Sequence, residues 1–343
     1  MSSLRKTLKH YKRKLLGDFD RRGADVASLA AASKSDPMEL VLSSEPNRDW
    51  VGTNRGSRIT FVRKPLLQAS DRVFTMGSCF AVEIRKALTA RGFDTYPKYG
   101  AVAFDPASQM LAKLPERDNI NHYNTFVIRQ EFELALEGGQ YAISDLVDLG
   151  DIGTGAVKAK SLRWQDPYRK MVYAADQPSI IDLSAKVTDC VRAAIQQADV
   201  YIITLGLTEV WKNAANGLYI NQAPKFAGDR FTFVESTYEQ NYENIARVCS
   251  LVAKHYPTKR IILTVSPVPL TRTFTGRDVV VANTESKCTL RTVAARISKE
   301  FSNVTYWPSY EIALARDLFL EDGRHVRQDG IDLIVDQFIK VHA

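Results

Sequence analysis

The chain has 343 residues, with 46 Lys and Arg against 39 Asp and Glu, a net charge of +7 and a hydrophobic content of 45%. That length and balance suit a soluble globular protein with a large core and exclude a fibrous or low-complexity chain. The four cysteines, Cys79, Cys190, Cys249 and Cys288, are scattered without CxxC or other ligand spacing, so neither a metal site nor a disulfide framework is expected, and the expected setting is reducing and cytoplasmic. No apolar run approaches the roughly 18 residues of a membrane span, and the basic N-terminus lacks the apolar region of a secretory signal. The first 22 residues hold eight basic and two acidic side chains, a net +6, which leaves the remainder nearly balanced. No basic recognition element occurs in the rest of the chain, so no nucleic-acid partner is expected.

Leu4, Leu8, Tyr11, Leu15 and Phe19 recur at helical spacing, which predicts an amphipathic basic helix over 3–20. Two readings stay open: residues 1–22 contact an anionic surface, holding the protein against the inner membrane, or they form a solvated tail. Residues 23–58 read as a linker with a short helix near 26–33, and the folded domain is expected over 59–343. The run Arg72-Val73-Phe74-Thr75-Met76 then reads as a buried strand, interrupted by Gly77-Ser78-Cys79, and Phe80, Ile84, Ala87 and Leu88 begin a helix. Strand, glycine turn and helix expose a residue at the strand's carboxyl end, where helix N–H groups can hold an anion. A second extended segment follows at 94–106. Residues 120–180 are less regular, with a helix near 126–137 and a Trp164–Tyr168 loop that either rims a pocket or forms a surface turn; the whole region reads as an excursion.

From residue 184 the pattern alternates: helix 184–197, strand 200–205, helix 238–255, strand 260–265, helix 284–300, strand 304–307. The strands are apolar on both faces, as when helices cover both sides of a parallel sheet. Polar loops follow each strand, where such a sheet places its ligand. They carry Gly206-Leu207-Thr208-Glu209-Val210-Trp211, Ser266-Pro267-Val268-Pro269 and Asp322-Gly323-Arg324-His325. A serine nucleophile needs a base, a carboxylate to orient it, and oxyanion donors. Among five histidines, His325 alone has a carboxylate three residues earlier in a short loop. His255 ends a helix, and His122 lies in an Asn-rich loop that could border a pocket. Cys79 reads either as a competing thiol nucleophile or as a small packing residue.

Gly77-Ser78-Cys79-Phe80-Ala81 resembles the signature of the GSCFA domain, a relative of the SGNH (GDSL-like) hydrolases. The likeness extends through 100–106, 206–211, 266–269, Pro308-Ser309-Tyr310-Glu311 and 322–325. It implies a three-layer α/β/α, flavodoxin-like, mostly parallel sheet, with Ser78 as nucleophile, His325 as base and Asp322 orienting it. The implied oxyanion hole uses the N–H groups of Ser78 and Gly100 and a side chain of the third block. Where SGNH enzymes carry Asn, this chain has Thr208 and Glu209: Thr208 can donate, whereas an ionised Glu209 only accepts and would orient neighbours. Gly206, Glu209, Trp211, Ser266, Cys79 and His122 are the expected pocket residues. The resemblance implies no cofactor. It leaves open an esterase acting on a small-molecule or glycan acyl ester, an O-acyltransferase of bacterial polysaccharide or capsule assembly, and an inactive binding module.

Overall fold

The computed structural model describes residues 59–103, 120–149, 163–170, 172–222 and 230–343, with the backbone of 41–42. The helices expected over 3–20 and near 26–33, and the segment 104–106, lie outside those residues. Contacts divide the chain into two units, Met1–Val62 and Arg63–Ala343. In the first, strands β1 (Val41–Leu42) and β2 (Thr60–Phe61) pair in parallel.

The second unit is built on five parallel strands: β3 (Arg72–Gly77), β4 (Asp94–Tyr96), β8 (Val200–Leu205), β12 (Arg260–Val265) and β13 (Val304–Tyr306). Their spatial order is β13-β12-β8-β3-β4. Counted within this sheet that is 5-4-3-1-2, the doubly wound, flavodoxin-like order, with its switch point between β3 and β8. Strand β8 is buried at all six positions because it is central and covered on both faces. Alternate residues serve opposite layers. Phe74, Met76, Tyr201, Ile203, Leu205, Ile261, Leu263 and Val265 join one continuous core. Helices α2 (Thr125–Leu136), α3 (Gln177–Gln197), α4 (Tyr238–His255) and α5 (Val279–Glu300) pack there, α3 against α2, α2 against α4 and α4 against α5, while α1 (Cys79–Ala90) packs on α7 (Gln328–His342) in the other layer. A short α6 (Ser309–Ala315) precedes α7.

Differences from the sequence reading have physical causes. Helix α3 starts seven residues earlier than expected, at Gln177, capped by Asp176, whose side chain accepts from Ser179 N–H at 2.8 Å, with Pro178 in the first turn. Helix α5 starts at Val279, capped by Asp278; exposed Val280 and Val281 had blurred its amphipathic spacing. Region 120–180 is only partly an excursion. Phe132 of α2 meets Phe74 and Tyr201 edge-on, with centroids 5.9 and 6.0 Å away, so α2 belongs to the core. The excursion is the antiparallel sheet of β5 (Val147–Asp148), β6 (Trp164–Gln165) and β7 (Tyr173–Ala174). A further antiparallel sheet, β10 (Tyr219–Ile220), β9 (Glu209–Asn213) and β11 (Phe231–Glu235), follows β8, where the sequence had suggested only a loop.

The Trp164–Tyr168 segment is neither pocket rim nor surface turn, since Asp166 and Tyr168 are fully buried. They lead to Arg169, whose guanidinium binds Glu131 through both carboxylate oxygens at 2.6 and 2.9 Å, Asp166 at 3.2 Å and Thr188 at 2.8 Å. Burial alone would raise the pKa of Glu131, but Arg169 and His122 outweigh it and hold it at about 2. This carboxylate therefore adds stability above its ordinary 4.5, and the contribution is lost as pH falls toward about 2. Arg169→Met strands a buried anion and should cost about 3–5 kcal/mol, read as a lower urea midpoint at pH 7.

Candidate active site

The site forms where β3 and β8 end beside each other. Gly77 has φ +140°, and a Cβ there would lie 2.1 Å from the Thr204 carbonyl oxygen. Only glycine permits the strand to leave the sheet this close to its neighbour. Ser78 follows as the N-cap of α1, its Oγ accepting from Phe80 N–H at 3.3 Å, and its own N–H donates to Thr204 O at 3.3 Å. Gly206 mirrors Gly77 on β8: its Cβ would meet the Tyr123 carbonyl at 2.4 Å and Ser78 Cβ at 3.4 Å. Loop 121–123 stitches both ends together. His122 N–H donates to Gly77 O at 2.7 Å and Leu207 N–H to Tyr123 O at 3.0 Å, while Asn221 accepts from Tyr123 N–H at 2.7 Å.

Above these ends lies a cavity of about 970 Å³ lined by Ser78, Cys79, Gly206, Glu209, Trp211, Ser266 and His325, among others. His325 Nδ1 is 2.6 Å from Asp322 Oδ2, and Asp322 Oδ1 accepts the backbone N–H groups of Arg324 and His325 at 2.8 and 3.0 Å. These bonds, that of the His325 ring foremost, hold the Asp322 carboxyl far below the usual carboxylate range. Both side chains are about half exposed, so the pair stands at the open side of the cavity while Ser78 is at its buried end. Ser78 Oγ and His325 share the cavity without a hydrogen bond between them.

Three expected residues, Gly100, Thr208 and His122, are placed off the cavity lining, whereas Glu209 and Cys79 are on it. Gly100 lies in an exposed 3₁₀ turn, Tyr99–Ala101, off the cavity lining. Thr208 is buried beside the cavity, and its backbone is committed: its N–H donates to Ser286 Oγ at 3.1 Å and its carbonyl accepts from Ser236 N–H and Oγ–H at 2.9 and 2.7 Å. Glu209 does orient neighbours, accepting from Thr273 Oγ1 at 2.7 Å and Phe274 N–H at 2.8 Å, which pins the loop over the cavity. His122 is not on the lining of this cavity; it is fully buried against Glu131, with Nε2 3.1 Å from Oε1. Cys79 lines the cavity with its thiol pKa pushed up by burial, which keeps it protonated and disfavours it as nucleophile.

Sequence reasoning missed Lys287. It sits on the buried face of α5, lines the cavity, and donates from Nζ to Gly206 O at 2.7 Å, one acceptor for three donors. Burial lowers its pKa to about 7. The signal was present: Lys287, Leu290, Ala294 and Ile297 fall on one helical stripe, where a lysine among apolar residues is out of place.

Residues 72–338 match the model of the GSCFA family. No curated protein matches the chain. Among solved structures, a Parabacteroides merdae protein named as a GDSL-like lipase aligns at 18% identity over 43% of this chain and 62% of that one, with a TM-score of 0.29. This chain thus spans less than two thirds of that relative. A peptidoglycan O-acetylesterase aligns at 12% identity over 79% and 90% of the two chains (TM-score 0.34), and an acetyl xylan esterase from Butyrivibrio proteoclasticus at 12% over 81% and 64% (TM-score 0.30). At these scores they bear on neither substrate nor mechanism.

The buried ammonium makes a testable prediction. The folded state binds fewer protons than the unfolded chain between pH about 7 and the ordinary lysine value of 10.5, so this group makes stability rise with pH there. Relative to Lys287→Met, the wild type should gain stability between pH 6.5 and 9.5, measured by urea unfolding at both values.

Proposed function

The chain belongs to the GSCFA family, and on that footing we propose that it is a serine esterase that cleaves an O-acyl ester through an acyl-enzyme on Ser78. One observation carries the reading: Ser78, at the tip of the strand–glycine–helix turn, shares a cavity with His325, whose Nδ1 is held by Asp322 at 2.6 Å. The Asp322 bond favours the tautomer with the proton on Nδ1, leaving Nε2 free to act as base.

In the proposed cycle Ser78 Oγ attacks the ester carbonyl while His325 Nε2 accepts its proton. The tetrahedral oxyanion collapses, the C–O bond to the alcohol breaks, and the imidazolium returns the proton to the leaving oxygen. Water then attacks the acyl-enzyme by the same relay, releasing the carboxylic acid and Ser78. Ser78 N–H is taken by the Thr204 carbonyl, so the uncommitted N–H groups of Lys287 are the donors assigned to the oxyanion in this reading, in place of the missing side-chain amide of the third block.

Ser78→Ala and His325→Ala should each reduce turnover of p-nitrophenyl acetate to background, whereas Cys79→Ala should retain most of it. Lys287→Met should lower kcat by about 10²–10³ and Thr208→Val by less than about threefold, the pattern expected if Lys287 rather than Thr208 meets the oxyanion.

A further inference from the structure

The cavity is charged as well as shaped. Four basic side chains line it: Lys170, Arg272, Lys287 and Arg324. Elsewhere in the described structure, arginines and lysines are commonly matched with carboxylates, as in Arg91 with Asp332 and Asp336 or Arg247 with Glu133 and Glu137. None of these four has such a partner among the described residues. Lys170 Nζ donates to the Tyr123 hydroxyl at 2.8 Å, and Arg324 Nη2 reaches only the Pro269 carbonyl, at 3.5 Å. The Arg324 Nε is buried with no hydrogen-bond partner, and Lys287, 1% exposed, has one neutral acceptor. The single carboxylate on the described lining, Glu209, is occupied by Thr273 and Phe274 of its own wall.

Unpaired cations are costly to hold in a partly enclosed space, and the field they make there is positive. A neutral ester would leave that field unanswered. An anionic group would receive charge-assisted hydrogen bonds from donors that now lack acceptors. Lys287 is at the nucleophile's end, whereas Arg324 adjoins His325, the side from which the alcohol departs.

We propose that the cavity selects esters whose alcohol portion carries an anion, a carboxylate or a phosphate, with Arg324 and Lys170 as its recognition groups and Arg272 at the mouth. The proposal rests on the esterase reading for its chemistry but not for its binding, so the two are tested separately.

The probes are 4-acetoxybenzoate, 4-acetoxyphenyl phosphate and the neutral methyl 4-acetoxybenzoate, titrated calorimetrically into Ser78→Ala protein, which should not consume them. At least one anionic ester should bind tenfold or more tightly than the neutral one, and which one does so separates carboxylate from phosphate. The preference should shrink between 50 and 500 mM NaCl and fall at least fivefold when Arg324→Gln, or Arg272→Gln at the exposed mouth, is added. Equal binding of all three esters, binding of none, or a preference that survives these substitutions would overturn the proposal. Loss of the esterase reading would show separately, as wild-type turnover indistinguishable from that of Ser78→Ala.

Discussion

The site depends on two backbone contacts that no side chain could tolerate. Gly77 lies against the Thr204 carbonyl and Gly206 against that of Tyr123, so the ends of β3 and β8 and loop 121–123 meet at one point. This is the switch point of the parallel sheet, where chain connections diverge and leave a crevice. The same contacts fix Ser78 as the first cap of α1, with its hydroxyl at the crevice floor. Loop 121–123 can approach so closely because His122 is anchored from beneath by Glu131, which Arg169 binds in turn. Backbone geometry at the floor is thus linked to a buried ion cluster one layer below it.

The sheet was legible in the sequence because it obeys one rule at a time. Strands 200–205 and 260–265 are apolar at nearly every position, and helix 238–255 begins with the Thr237–Gln240 capping box. Helices α3 and α5 lost their first turns in that reading because capping and Pro178 define one start, while exposed valines mask the other. The β9–β11 sheet was missed because its pairing is non-local: Glu209 pairs directly with Glu235, although β10 comes between them in the chain.

Of the candidate site, Ser78, Asp322 and His325 could be named because the pattern that suggests them is local: a glycine turn, and a carboxylate three residues before an imidazole. The oxyanion assignments were less legible. Gly100 and Thr208 were carried from a motif, and a motif does not say which groups the fold will use for its own hydrogen bonds. Thr208 spends its backbone on Ser286 and Ser236, whereas Lys287, far along the chain, reaches the strand end from α5. A lysine on an apolar helical stripe is the kind of local inconsistency that marks function.

The central claim is that Ser78 is an activated nucleophile, and covalent trapping tests it most directly. Intact-protein mass after incubation with a fluorophosphonate should show one adduct in the wild type and in Cys79→Ala, and none in Ser78→Ala. An adduct that persists in Ser78→Ala, or none in a wild-type protein shown to be folded, would contradict the account.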